Sequence, residues 1–141
     1  MKLIENGVTP EIFTQLRKTG PFVEYDTEDI KYALKKTIYT VLVVNDENEP
    51  IGMARIIGDN KIAFIIKDVV VIPTYQRQNV GTMIMDQLLS YIKNHACQNA
   101  YVGLMSTPHK EGFYERFGFI RRPNKIYGAG MIMYYQGKGE I

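Results

Sequence analysis

The stretch PTYQRQNVGT, residues 73–82, follows the apolar run Val69-Val70-Val71-Ile72 and precedes MIMDQLLSYIK, whose apolar residues recur with a helical period. A joint between a strand and a helix turns the first N–H groups of the helix outward, where they have no intrahelical acceptor. The helix dipole adds roughly half a positive charge at the same place. Together these features can hold a phosphate or a pyrophosphate. Gly81 lets a ligand approach the backbone closely, Thr82 offers a hydroxyl and Arg77 a full charge. A capped turn with nothing bound has the same local sequence. Two familiar phosphate loops do not fit. A P-loop needs Gly-Lys-Ser/Thr where this chain has Val80-Gly81-Thr82, and a dinucleotide-binding turn needs three spaced glycines where this one has a single glycine.

Asp68 is the second residue of interest. It stands next to Val69 in a run that reads as a buried strand, and a buried carboxylate is costly without a partner. Alternation along a strand turns it to the face opposite Val69 and Val71. It is either a hydrogen-bonded structural group or a base acting through water. His109 is a further candidate by residue type, and Glu111 lies three residues before Tyr114, so those two can share a helix face. Cys97 is the only cysteine, which excludes an internal disulfide and a multi-cysteine zinc site, and the two histidines lack ligand spacing.

The joint resembles the acyl-CoA signature of the GNAT superfamily of N-acetyltransferases, Arg/Gln-x-x-Gly-x-Gly/Ala. The matching positions are Gln76, Asn79, Gly81 and Thr82, and VVVIPTYQ matches the usual strand-Pro-x-Tyr-Arg/Gln lead-in. FYERFGF, residues 113–119, resembles the family's tyrosine helix and Gly-Phe strand entry at the usual distance downstream. Two positions depart from the pattern. Asn79 stands where glycine is normal, and Asn is among the few other residues that tolerate left-handed backbone angles. Thr82 replaces a small apolar residue.

The resemblance implies acetyl-CoA as donor and a primary amine, on a small molecule, as acceptor, with direct attack in a ternary complex. It implies a CoA site formed by Val69, Val71, Gln76, Arg77, Gln78, Asn79, Val80, Gly81 and Thr82. The main chain of Val69 and Val71 pairs with the pantetheine arm, and an N–H near Val69 serves the oxyanion. Tyr114 takes the position of the general acid. Asp68 is the candidate base, with an ordered water as the alternative. No metal is expected. A different reading is a non-catalytic acyl-CoA-binding module or sensor, and a third is an acetylase directed at a macromolecule.

These residues need elements to position them. TPEIF begins a first helix, with Thr9 as cap and Pro10 in the first helical position, and Gly20-Pro21 ends it. TEDIKYALKK gives a second helix capped by Asp26 or Thr27. YTVLVV and IGMARIIG form a hairpin about the turn cluster NDENEP. KIAFIIKDVVVI exceeds one typical strand, and we expect it to divide between Phe64 and Lys67. Its second part, residues 66–72, reads as a central strand buried on both faces.

VGTMIMDQLLSYIKN is the clearest helix, with Val80, Ile84, Leu88 and Ile92 four apart. AYVGLMS is a strand. TPHKEGFYERFG is a short helix with Ser106 or Thr107 as cap and Gly118 just past its end. FIRR and GMIMYYQ read as two final strands around a Pro/Gly-rich loop, residues 123–130. The expected fold is one domain, residues 1–141, of mixed α/β class. Its sheet has six to seven strands with helices on both faces and splayed central parallel strands.

The 141 residues are 45% hydrophobic with a net charge of +2. That suffices for one core and falls short of the basicity usual in nucleic-acid proteins. No stretch approaches the ~20 apolar residues of a membrane helix. The first residues lack the apolar core of a signal peptide. The expectation is a cytoplasmic protein that uses neither nucleic acid nor membrane as partner, with a homodimer left open.

Overall fold

The computed structural model describes residues 1–137. The chain forms two compact units, Met1–Leu104 and Met105–Ile141. The first holds a five-stranded sheet in the order β1-β2-β3-β4-β5, comprising β1 (Lys2–Glu5), β2 (Tyr39–Val44), β3 (Pro50–Gly58), β4 (Ala63–Val71) and β5 (Tyr101–Gly103). Pairing is antiparallel from β1 to β4 and parallel between β4 and β5. Helices α1 (Pro10–Arg17), α2 (Thr27–Lys35) and α3 (Val80–His95) cover it.

Local chemistry accounts for most of these boundaries. The Thr9 hydroxyl accepts the Ile12 N–H at 3.2 Å and Pro10 occupies the first turn, so α1 starts where its cap dictates. The β2–β3 turn is held by Asn45, whose Oδ1 accepts the N–H groups of Glu47 and Glu49 at 3.0 and 2.9 Å.

Alternation sorts the core into two layers. On one face, Phe13 and Leu16 of α1 and Ile30 of α2 pack with Leu42, Val44, Met53 and Val70. Val41 and Val43, fully buried, point the other way, toward α3. There Gly52 of β3 brings the sheet close to α3. A Cβ at that position would lie 2.9 Å from Val80 Cγ1 and 3.1 Å from Ile84 Cδ1. The helices therefore lie on both faces of the sheet, as expected.

Three sequence expectations need correction. First, β1 was not foreseen, because four residues with charges at both ends carry little strand signal. Second, residues 63–71 form one strand that does not divide between Phe64 and Lys67. Its irregularity is a bulge: Met53 pairs with Val70 but Arg55 with Lys67, so Ala54 opposes two residues. Asp68 there takes φ 57°. The extra residue changes which face each side chain meets. Ile66 shares the α3 face with its partner Ile56, whereas Val70 shares the α1 face with Met53.

Third, the sheet has five strands among the described residues, not six to seven, because FIRR and GMIMYYQ form none. In the second unit, α4 is confined to Glu111–Glu115, and Gly118 ends its last turn at φ 96°. Lys110 stands at the cap, without a side-chain bond, in place of Ser106 or Thr107. Asn124 organises the following loop, its Oδ1 accepting the N–H groups of Ile126 and Tyr127, both at 2.8 Å.

Candidate functional site

β4 and β5 pair only over Ala63–Ile65 with Tyr101–Gly103. Beyond that, residues 66–71 of β4 continue along β3 with no strand on their other side among the described residues. Backbone polarity in this seam follows from register. Ile72 donates its N–H to Ile51 of β3 at 3.0 Å. Neighbouring residues in a strand point their N–H and C=O groups to opposite edges, so Val69 and Val71 turn theirs to the open side. The Val71 carbonyl is taken there by Gln76, whose Nε2 donates to it at 3.1 Å. Both valines are half-buried, so the strand is less enclosed than a central strand covered on both faces.

The chain leaves the seam through a 3-10 turn, Pro73–Tyr75, and enters α3 through residues 76–79. Two of these residues are left-handed: Arg77 at φ 64° and Asn79 at φ 67°. Asn79 is the N-cap by position, yet its side chain makes no capping bond. The first bond of the helix runs from the Met83 N–H to the Asn79 carbonyl at 3.0 Å, so the N–H groups of Val80, Gly81 and Thr82 have no intrahelical acceptor. Gln78 is folded back, its Nε2 donating to the Thr74 carbonyl at 3.0 Å. Val80 is buried and pins the first turn to the sheet at Gly52, while Gln76, Arg77, Gln78 and Asn79 are exposed. The result is an exposed rim of donors, dipole-assisted and next to a guanidinium, at the end of an open strand edge.

Asp68 lies on the α1 face of the sheet, buried and hydrogen-bonded. Its side chain is 3% exposed and lies between two guanidiniums. Arg17 of α1 donates from Nη1 to one carboxylate oxygen, and Arg55 Nε donates to the other at 2.6 Å. Arg17 also reaches the Val23 carbonyl at 2.6 Å, and Arg55 reaches Thr37 Oγ1 at 3.1 Å. The rings of Phe13, Phe22 and Tyr25 lie 5.0–5.4 Å from the Arg17 guanidinium carbon. With both oxygens engaged, Asp68 ties α1, β3 and the β4 bulge together. Of the two roles the sequence left open for Asp68, this arrangement is that of the hydrogen-bonded structural group. Arg17 and Arg55 were not singled out in the sequence, because neither helical periodicity nor strand alternation announces a cross-element ion pair.

In the second unit, Tyr114 lies on α4 with its ring half-buried. It packs edge-on against Phe113 at 5.1 Å and Phe119 at 6.2 Å between centroids. Burial pushes the phenol above its ordinary pKa of 10, so it carries its proton throughout the neutral range. Glu111 begins the same helix, and His109 precedes it in a left-handed conformation, exposed. Among the described residues, no group of three or more His, Cys, Asp and Glu residues could hold a metal.

Known proteins share this architecture. A chloroplastic GCN5-related N-acetyltransferase of Arabidopsis thaliana is 32% identical over 118 residues, 83% of this chain. The chain spans 59% of that relative's length. A Staphylococcus aureus protein of unknown function, described as a probable acetyltransferase, superposes with a TM-score of 0.85 at 31% identity over 95% of this chain and 98% of its own. A Mycobacterium tuberculosis protein crystallised with CoA shares the fold at a TM-score of 0.66 and 16% identity, over 84% of this chain and 70% of its own. Residues 14–134 match the family model described as acetyltransferase (GNAT) domain, a span that includes the open seam, the left-handed turn into α3 and Tyr114. The chain belongs to the GNAT acetyltransferase family.

Proposed function

We propose that this protein transfers an acetyl group from acetyl-CoA to a primary amine on a small molecule. The observation that carries the reading is the open edge of β4 running into the unbonded N–H groups of α3. Val69 and Val71 can pair with an extended chain bearing amides. The N–H groups of Val80, Gly81 and Thr82, with the Thr82 hydroxyl and Arg77, suit a diphosphate. The two half-sites follow one another along the chain, β4 leading into α3, in the order of a pantetheine arm joined to a diphosphate. The CoA bound by the Mycobacterium protein of the same fold supports the choice of ligand.

When bound, acetyl-CoA supplies an activated thioester. The chain's own residues then have three tasks. The main-chain N–H at Val69 stabilises negative charge on the acyl oxygen, because a fixed donor in the seam needs no reorganisation. The Tyr114 phenol, which burial keeps protonated, holds a proton for the departing thiolate, a basic leaving group that must be protonated as it departs. The attacking amine must be neutral, and with Asp68 committed to Arg17 and Arg55 an ordered water is the better proton acceptor.

The test is release of free CoA thiol from acetyl-CoA across a panel of primary amines, paired with calorimetric titration by CoA. Turnover with at least one amine is the expected outcome. Binding without thiol release across the panel would instead favour a non-catalytic acyl-CoA sensor. Absence of binding at millimolar CoA would end both readings.

A further inference from the structure

Two left-handed residues, Arg77 and Asn79, shape the turn that enters α3. A residue other than glycine is strained in that conformation, and it persists only where the surrounding structure holds the segment in place. The side chains inside the turn do not supply that hold. Gln76 bonds back to the Val71 carbonyl and Gln78 to the Thr74 carbonyl, so both bonds stay within one stretch of chain. The far end of the turn is fixed by Val80, buried against Gly52 of β3.

The near end is fixed by Tyr75. Residues 73–79 are exposed except Tyr75, which is half-buried. Its hydroxyl accepts a hydrogen bond from Asn45 Nδ2 at 3.2 Å, across thirty residues of sequence. Asn45 follows β2 directly and is 8% exposed, with its polar groups all engaged. Its N–H goes to the Glu49 carbonyl and its carbonyl takes the Asn48 N–H, both at 3.0 Å. Oδ1 holds the β2–β3 turn, and Nδ2 also donates to Glu49 Oε1 at 2.9 Å. A turn of this kind is built with the side-chain oxygen. The one side-chain bond of Asn45 that leaves the turn is the bond to Tyr75.

We infer that Asn45 and Tyr75 are positioning residues for the diphosphate of CoA, and this rests on the reading of the α3 rim as a CoA site. Through their bond the β2–β3 turn sets residues 76–79, and with them the N–H groups of Val80, Gly81 and Thr82. Both anchors of the left-handed turn belong to one hairpin, since Asn45 opens its turn and Gly52 lies on β3. The effect is confined to one half of the ligand. Val69 and Val71 are placed by the pairing of β4 with β3 and not by Tyr75.

Tyr75→Phe deletes the hydroxyl and keeps the ring. Tm should hold, because the Asn45 amide keeps Glu49 as a partner. CoA should bind roughly fivefold more weakly by calorimetry, the effect of one lost hydrogen bond. With acetyl-CoA as donor, KM should rise and kcat should hold. With acetyl-pantetheine, which lacks the diphosphate, kcat/KM should stay unchanged. Asn45→Ser keeps an oxygen for the turn but has no amide to reach Tyr75, so on that background Tyr75→Phe should add no further loss. Should Asn45→Ser not fold, the comparison of the two donors decides. Unchanged CoA affinity in Tyr75→Phe would overturn the inference and leave the CoA reading standing. So would a full loss on the Asn45→Ser background, which would place Tyr75 on the ligand itself, or equal losses with both donors. Wild-type protein that binds no CoA would remove the reading and the inference together.

Discussion

Arg55 on β3 donates from Nε to the Asp68 carboxylate on β4 at 2.6 Å, at the point where the two strands slip register by one residue. The ion pair and the bulge explain each other. The extra residue lets Asp68 share the α1 face with Lys67 and meet Arg17, and the two guanidiniums hold its left-handed backbone in place. Asp68→Asn leaves two guanidiniums, 12% and 17% exposed, without their counter-charge. The expected loss is about 3–5 kcal/mol of stability by urea unfolding, accompanied by weaker CoA binding as the seam loses its shape. Unchanged stability would show that the anchor is dispensable.

Asn79 is left-handed with no capping bond, so its value is conformational. Asn79→Gly should bind CoA as tightly as the wild type or more so. Asn79→Val must place a β-branched side chain at φ near 67°, at about 1–2 kcal/mol, which corresponds to roughly tenfold weaker CoA binding by calorimetry. Equal affinities for all three would remove the backbone-angle role.

Tyr114→Phe should lower kcat on the order of 100-fold while leaving the Kd for CoA within about twofold, the separation expected of a proton donor. The pH profile follows from the direction of its shift. Burial raises the phenol above 10, so it stays protonated up to that pH and the rate should not fall on the alkaline side below it. A rate that rises with pH through the neutral range would report deprotonation of the amine. An alkaline limb with a midpoint near 8 would point to another acid.

Gly52→Ala probes the dock between α3 and the sheet. The added methyl would meet Val80 Cγ1 at 2.9 Å and lie 3.2 Å from the Val70 carbonyl. The strain should cost about 1–3 kcal/mol of stability. Because Val80 sits in the first turn of α3, CoA binding should fall as well. A Tm and a Kd both unmoved would mean that α3 can shift without disturbing its amino end.

What could be read from the chain alone was whatever depends on near neighbours. The four-residue period of Val80, Ile84, Leu88 and Ile92 needs only helix geometry, and all four are buried. The Thr9–Pro10 start of α1 and the Asn45 turn rest on side chains bonding backbone two to four residues away. The left-handed turn at Asn79 was legible because few residue types tolerate it.

Tertiary structure decided what depends on partners distant in sequence. The bulge at Asp68 is a mismatch between two strands, invisible in either one. Arg17, Arg55 and Asp68 lie on three elements and become a site only when β3, β4 and α1 meet. MIMYYQ shows the same limit: its residue types favour a strand, but a strand depends on hydrogen bonds to a second backbone, and residues 131–136 form no strand among those described.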